Sequence, residues 1–179
     1  MNALRYPIMQ VAYAVPDPAE AAIRHSKLHG SGPFFRADHV PVIDFVHRGK
    51  PQEFDHTTVF GQWGDVMIEF FVQHNPDPSH NHDLYPFGCE KPVFHHIAMI
   101  PDDLEAAIGE FSAQGFEVAS RFHVGGDMGC DVAFIDTRTM SGHMTEMYTN
   151  NEMIRASYTM AREAAASAQD RSLITTIRF

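Results

Sequence analysis

Residues 16–30 read PDPAEAAIRHSKLHG, and residues 101–115 read PDDLEAAIGEFSAQG; laid over one another they share Pro, Asp, Glu, Ala, Ala, Ile and Gly. Seven identities in fifteen positions make an internal repeat, which speaks to architecture before anything else. Each copy comes after a short apolar run, QVAYAV at 10–15 or HIAMI at 96–100, suited to a buried strand. Each then carries the marks of a helix: an Asp at the N-cap, good helix formers behind it, and Gly30 or Gly115 to end it. Beyond each helix the chain is β-like. VPVIDFVHRG (40–49), FDHTTVFGQ (54–62) and GDVMIEFFVQ (64–73), with a turn at Gly61 to Gly64, answer FEVASRFHV (116–124), CDVAFIDT (130–137) and GHMTEMYT (142–149), with turns at Gly125-Gly126 and Ser141-Gly142. The pattern is βαβββ twice over.

Around the repeat, the chain divides into a first module at 7–73, a connector at 74–92, a second module at 93–149 and a tail at 150–179. The connector HNPDPSHNHDLYPFGCEKP reads as an exposed or partly ordered loop, with His74, His80 and His82 in solvent. The tail reads as an Ala-, Met- and Glu-rich helix over 151–169 and a short strand over 173–179, packing on the body or on a partner chain. A single curved sheet with one helix leaves its concave face bare, so the two modules must pair. The fold expected is α+β: two βαβββ modules forming a cup-like sheet, with a C-terminal helical extension.

Composition narrows the function. Thirteen Lys and Arg against 23 Asp and Glu give a formal charge of −10, a field that repels phosphate backbones and anionic lipid, and no basic cluster offsets it. Nucleic acid and membrane are therefore excluded as partners. The chain has no apolar run long enough to span a bilayer and no export signal in MNALRYPIMQ. With Cys89 and Cys130 as its two thiols, read as reduced, it is expected in the cytoplasm.

Four polar residues interrupt the apolar strands. Gln10 starts the first repeat strand, Glu69 sits inside VMIEFF, His95-His96 start the second repeat strand, and Glu146 sits inside HMTEMY. A carboxylate on a half-buried strand costs several kcal/mol unless paired, protonated or bound to metal. The placement is symmetric, since the first and last strands of each module contribute one residue apiece. Three oxygens and an imidazole nitrogen suit one divalent ion such as zinc, nickel, cobalt, manganese or iron(II). A gapless count back from the repeat helix pairs Gln10 with His95. Strand alternation instead places His96 with Ala98 as Gln10 goes with Ala12, and we take His96 as the ligand, with a one-residue slip in the turn. His56, Trp63, His123 and His143 are the candidates to contact substrate. The aromatic residues Phe34, Phe35, Phe60, Phe71 and Tyr148 hint at an apolar group.

HHIAMIPDDLEAA and CDVAFIDTRTMSGHMTEMYT, with QVAYAVPDPAEAA and VMIEFF earlier, resemble the vicinal oxygen chelate superfamily of glyoxalase I, methylmalonyl-CoA epimerase, extradiol dioxygenases and bleomycin-resistance proteins. The resemblance covers about residues 7–149 and is closest to the glyoxalase I-like and epimerase-like branch. It implies the same ligand set, Gln10, Glu69, His96 and Glu146, and proton transfer beside a carbonyl through an enolate-like intermediate, with Glu146 or Glu69 as the base. It also implies a small-molecule substrate and a homodimer. Three departures bear on the chemistry. Gln10 stands where a ring-cleaving dioxygenase has its first His, Ala14 where the Gln type of glyoxalase I has an Arg for glutathione, and Gln52, next to Glu53, where epimerases have a second Glu. The rival expectation is a protein that sequesters a small apolar compound without turnover.

Overall fold

A computed structural model of the chain describes residues 6–126 and 129–178. In chain order the elements are β1 (Gln10–Ala14), α1 (Pro18–His29), β2 (Phe34–Ala37), β3 (Val42–His47), β4 (Lys50–Pro51), β5 (His56–Trp63), β6 (Val66–Gln73), β7 (Val93–Met99), α2 (Leu104–Ala113), β8 (Val118–Val124), β9 (Cys130–Ile135), α3 (Arg138–Ser141), β10 (Met144–Tyr148), α4 (Glu152–Ser167) and β11 (Ile174–Thr176). Among the described residues the strands form one mixed sheet, ordered β11-β2-β5-β6-β1-β7-β10-β9-β8-β3-β4. The expected α+β cup is what this order builds. β1 runs parallel to β6 and β7 parallel to β10, while β1 and β7 meet antiparallel at the centre.

The repeat helices begin where their caps say they should. Asp17 accepts hydrogen bonds from the amides of Ala19 and Glu20, and Asp103 from that of Ala106, satisfying donors that a helix N-terminus leaves open. Gln10 lies seven residues before Asp17 and His96 seven before Asp103, whereas the helix bodies stay in the gapless register, with Ala22 and Ala107 both fully buried. The slip is thus a second helix that starts one residue later.

Alternation sorts the side chains to two faces. On the convex face Ile68 and Phe70 of β6 pack with Ala22 of α1, and Ala133, Ile135 and Met147 pack with Leu104, Ala107 and Ile108 of α2. The concave face is covered by a cluster including Phe45, Phe54, Phe60, Phe122 and Phe134, and α4 lays Ile154, Tyr158 and Ala161 on it. The tail therefore packs on its own body, and its last stretch pairs with β2 as β11, Ile174 opposite Phe34. Phe179, the end of the strand read at 173–179, lies outside the described residues.

Three expectations change. Residues 42–47 are a strand, but β3 pairs with β8 at the far side of the sheet, and β2, which the pattern missed, takes the place beside β5. The first module thus sends a β3–β4 excursion across the mouth of the cup. The pattern also places a turn at Gly61, yet β5 runs through it to Trp63, and the turn falls at Gly64-Asp65. A Cβ on Gly61 would sit 2.6 Å from the carbonyl oxygen of Pro33 and 2.8 Å from the ring of Phe34, so this glycine permits close approach of two strands. Finally, the connector is not all in solvent. Ser79, His80 and Asn81 are buried beneath the sheet, because the hydroxyl of Ser79 bonds Gln73 and the His80 ring stacks on Phe134 at 3.7 Å.

Candidate metal centre

The pseudo-symmetry of the two halves brings the four candidate ligands together. Glu69 of β6 lies opposite Ala12 of β1, two residues beyond Gln10; Glu146 of β10 lies opposite Ala98 of β7, two beyond His96. Across the central pair, Gln10 faces Ala98 and Ala12 faces His96. Ala12 and Ala98 are both fully buried on the cup face, so a methyl group is all that separates the long side chains that lean over them. One ligand atom from each of Glu69, His96 and Glu146 lies within 4.8 Å of the others. Gln10 Nε2 donates to Glu69 Oε2 at 2.9 Å, and the Thr58 hydroxyl donates to Glu69 Oε1.

His96 Nε2 stands 3.0 Å from Glu146 Oε2 and 3.4 Å from Glu69 Oε2. Despite those distances, neither His96 Nε2 nor Glu146 Oε2 is aligned for a hydrogen bond, and both are sealed from solvent. Polar atoms that face one another at a buried point without a hydrogen bond are suited to holding a cation. The charges agree: two carboxylates and one neutral imidazole leave −2 in a site that a dication would neutralise, and the donor set suits a borderline metal. Without an ion a proton takes that place. Burial opposes a charged His96, but Glu146 and then Glu69 outweigh it and hold the imidazole up at about 9. The two acids diverge. Burial raises the Glu146 carboxyl above its ordinary value. Burial works the same way on Glu69, but His96 and Thr58 hold its carboxyl below that value.

A buried relay sets which nitrogen of His96 faces the acids. His95 Nε2 lies 3.1 Å from the carbonyl oxygen of His80, which can only accept, so that nitrogen carries hydrogen. Burial and the neighbouring His96 push the His95 imidazole well below the ordinary range, leaving it neutral with a lone pair at Nδ1. His96 Nδ1, 2.9 Å away, must then be the donor. The Nε2 of His96 is left to hold a proton or a metal ion, as in metal sites whose ligating His donates through its other nitrogen.

Of the residues expected to contact substrate, His56 alone lines the cup. Its ring stacks on Phe54, its Nδ1 has no partner, and burial lowers its imidazole to about 4. Trp63 packs edge-on against His25 of α1 on the convex face. His123 alternates with the inward Phe122 and Val124 and bonds Asp131 instead. His143, just ahead of β10, rests against Phe94. Sequence reasoning missed Tyr158, whose hydroxyl on α4 donates to Gln10 Oε1 at 3.1 Å; Tyr148, singled out there only for its ring, lines the cup together with Glu146. Tyr148 was legible as the next inward position after Glu146; Tyr158, 148 residues from Gln10, was not. A second group, His39, Asp55 and His74, also clusters within 4.8 Å near the surface, but its members satisfy one another and Thr57.

Comparison with known proteins gives the family and the fold. The chain belongs to the Glyoxalase/Bleomycin resistance protein/Dioxygenase superfamily, whose family model matches residues 9–134. Among solved structures it is similar to a methylmalonyl-CoA epimerase, with a TM-score of 0.52 at 16% identity, covering 84% of this chain and 100% of that one. It is equally similar to a hypothetical protein from Bacillus halodurans C-125, with a TM-score of 0.52 at 16% identity, covering 83% and 97%. No curated protein matches by sequence. Among the described residues, no helix is long and apolar enough to cross a membrane.

Proposed function

We propose that the protein is a divalent-metal-dependent enzyme, an isomerase, epimerase or lyase that moves a proton beside a substrate carbonyl. The observation that carries this reading is the buried convergence of Glu69, His96 and Glu146 beside Gln10, with His96 Nε2 and Glu146 Oε2 3.0 Å apart yet not hydrogen-bonded. These four side chains would hold one ion: zinc, nickel, cobalt, manganese or iron(II). Once bound, the ion supplies Lewis-acid stabilisation of charge developing on a carbonyl oxygen. Glu146 is the base once it gives up its place on the ion, because burial raises its carboxyl whereas Gln10 and Thr58 hold Glu69 in place. Glu69 is held by Gln10, Thr58 and His96, which suits a fixed ligand better than a proton carrier.

The epimerases among its structural neighbours lend the isomerase class by analogy of fold alone. A second carboxylate base is wanting at the epimerase position: Gln52 is an amide whose backbone N–H donates to the Phe45 carbonyl, Glu53 is exposed, and neither lines the cup. The reading therefore rests on a single carboxylate, within a cytoplasmic homodimer. The test is deuterium exchange at the carbon beside the carbonyl in a panel of small carbonyl compounds, using chelated protein and protein restored with each ion. Exchange that returns with about one ion per chain is expected; full exchange in metal-free protein overturns the reading. The apolar cup favours sequestration as the second reading, and that one predicts tight ligand binding with no bound ion.

A further inference from the structure

The cup above the four candidate ligands has a volume of about 110 Å³. Its walls are Phe60, Met67 and Phe122 from the sheet and Val40 from the link between β2 and β3, and its roof includes Ile154 and Ser157 of α4. The roof is fixed at both ends. At its start, Asn151 caps the helix through the Ile154 amide and reaches the carbonyl of Gly129 at 2.7 Å. At its end, Arg171 bonds the carbonyls of Gly32 and Ala165, both at 3.1 Å, and β11 zips onto β2. α4 is thus a built wall of the chamber. For scale, an engineered apolar cavity of about 150 Å³ holds benzene.

Charge adds a second limit. Among the described residues no Lys or Arg lines the cup, whereas Glu69 and Glu146 both do. With a dication in place the floor is neutral, and without one it is negative. A substrate bringing a carboxylate or phosphate into this cup would add a charge that no cationic side chain pairs. An uncharged carbonyl compound brings no such penalty, and the charge it develops during proton removal is the first the site must bear.

We propose that the part of the substrate held in the cup is a small uncharged carbonyl group, its apolar portion no larger than about a benzene ring. It carries no carboxylate or phosphate into the cup. The inference takes the position of the carbonyl from the proposed metal centre, but its size and charge limits stand on α4 and the lining alone.

The test is titration calorimetry on the full chain, with metal content measured first. Cyclohexane-1,2-dione is the neutral probe, and methylmalonate and methylmalonyl-CoA are the charged ones. The dione should bind at least about tenfold more tightly than either. Ser157→Phe, which fills the roof, should weaken the dione by a similar factor with metal content unchanged. Val124→Arg, which places a cation in the lining, should tighten methylmalonate. Methylmalonyl-CoA or methylmalonate binding as well as the dione overturns the inference, whatever the variants do. Wild-type protein that retains no ion sinks the metal reading instead, while the ranking of the three probes still decides this one.

Discussion

The two halves of the sheet share a backbone plan and divide the chemistry between them. The first half offers an amide and an acid, Gln10 and Glu69, already joined at 2.9 Å and braced by Thr58. The second offers an imidazole and an acid, His96 and Glu146, at 3.0 Å without a hydrogen bond between them. Matched positions therefore differ in how fully their polar atoms are satisfied. Duplication sets where ligands can meet, and later divergence decides which acid is pinned and which stays basic. A carboxylate with a donor on each oxygen is a poor proton carrier; one raised by burial and free of a hydrogen bond to the imidazole beside it is a good one.

Exchanging the two acids for amides, one at a time, puts this asymmetry under its most severe test. Glu146→Gln should lower proton-exchange turnover by about 10²- to 10⁴-fold, the range a positioned base contributes, even at an ion concentration that restores its metal content. Glu69→Gln should act mainly through lost metal, so that raising the ion concentration restores part of the rate; equal, unrescued losses in both variants would erase the distinction. Next in size is the floor. Ala98→Leu puts a branched side chain between His96 and Glu146, and metal content should fall toward zero with a stability loss of about 1–3 kcal/mol. A denaturation midpoint together with metal analysis reads both.

His95→Ala removes the acceptor for His96 Nδ1 and should weaken the bound ion by about 10- to 100-fold. His95→Gln, whose amide can accept from His96 and donate to the His80 carbonyl, should recover part of that loss in a competition titration against a chelator. The smallest effect concerns pH. In metal-free protein His96 is raised from 6.5 to about 9, so its stabilising charge is fully present below pH 6.5 and lost as pH rises through about 9. An ion needs that nitrogen deprotonated, so the gap in melting temperature between loaded and metal-free protein should widen from pH 6.5 to about 9. In both forms His56, lowered to about 4, works the other way: its stabilisation is present above pH 6.5 and fades as pH falls below it. A gap that stays constant across the window would mean that His96 does not exchange a proton for the ion.

Much of the site could be read in one dimension because a carboxylate inside VMIEFF or HMTEMY is costly wherever the strand lies. The repeat then states which strands are equivalent, and alternation picks His96 over His95. What alternation cannot show is curvature or distance. Trp63 and His56 both lie on β5, yet Trp63 turns out toward α1 and His56 in toward the cup, and an odd separation along a strand is the only hint. His80 looked solvated among Pro, Asn and Asp, and only contact with Phe134 and His95 explains its burial.

The duplication, the helix caps, the strand faces and the candidate ligands were all present in the linear chain, because they depend on spacing and on the local cost of burying a polar group. Three-dimensional packing alone decided that β3 crosses to the far edge, that α4 roofs the cup, and that His80, His95 and His96 form one relay. Those features arise from pairings between residues far apart in the chain, whose partners are chosen by how the curved sheet fills its own concave face, and no local pattern encodes that choice.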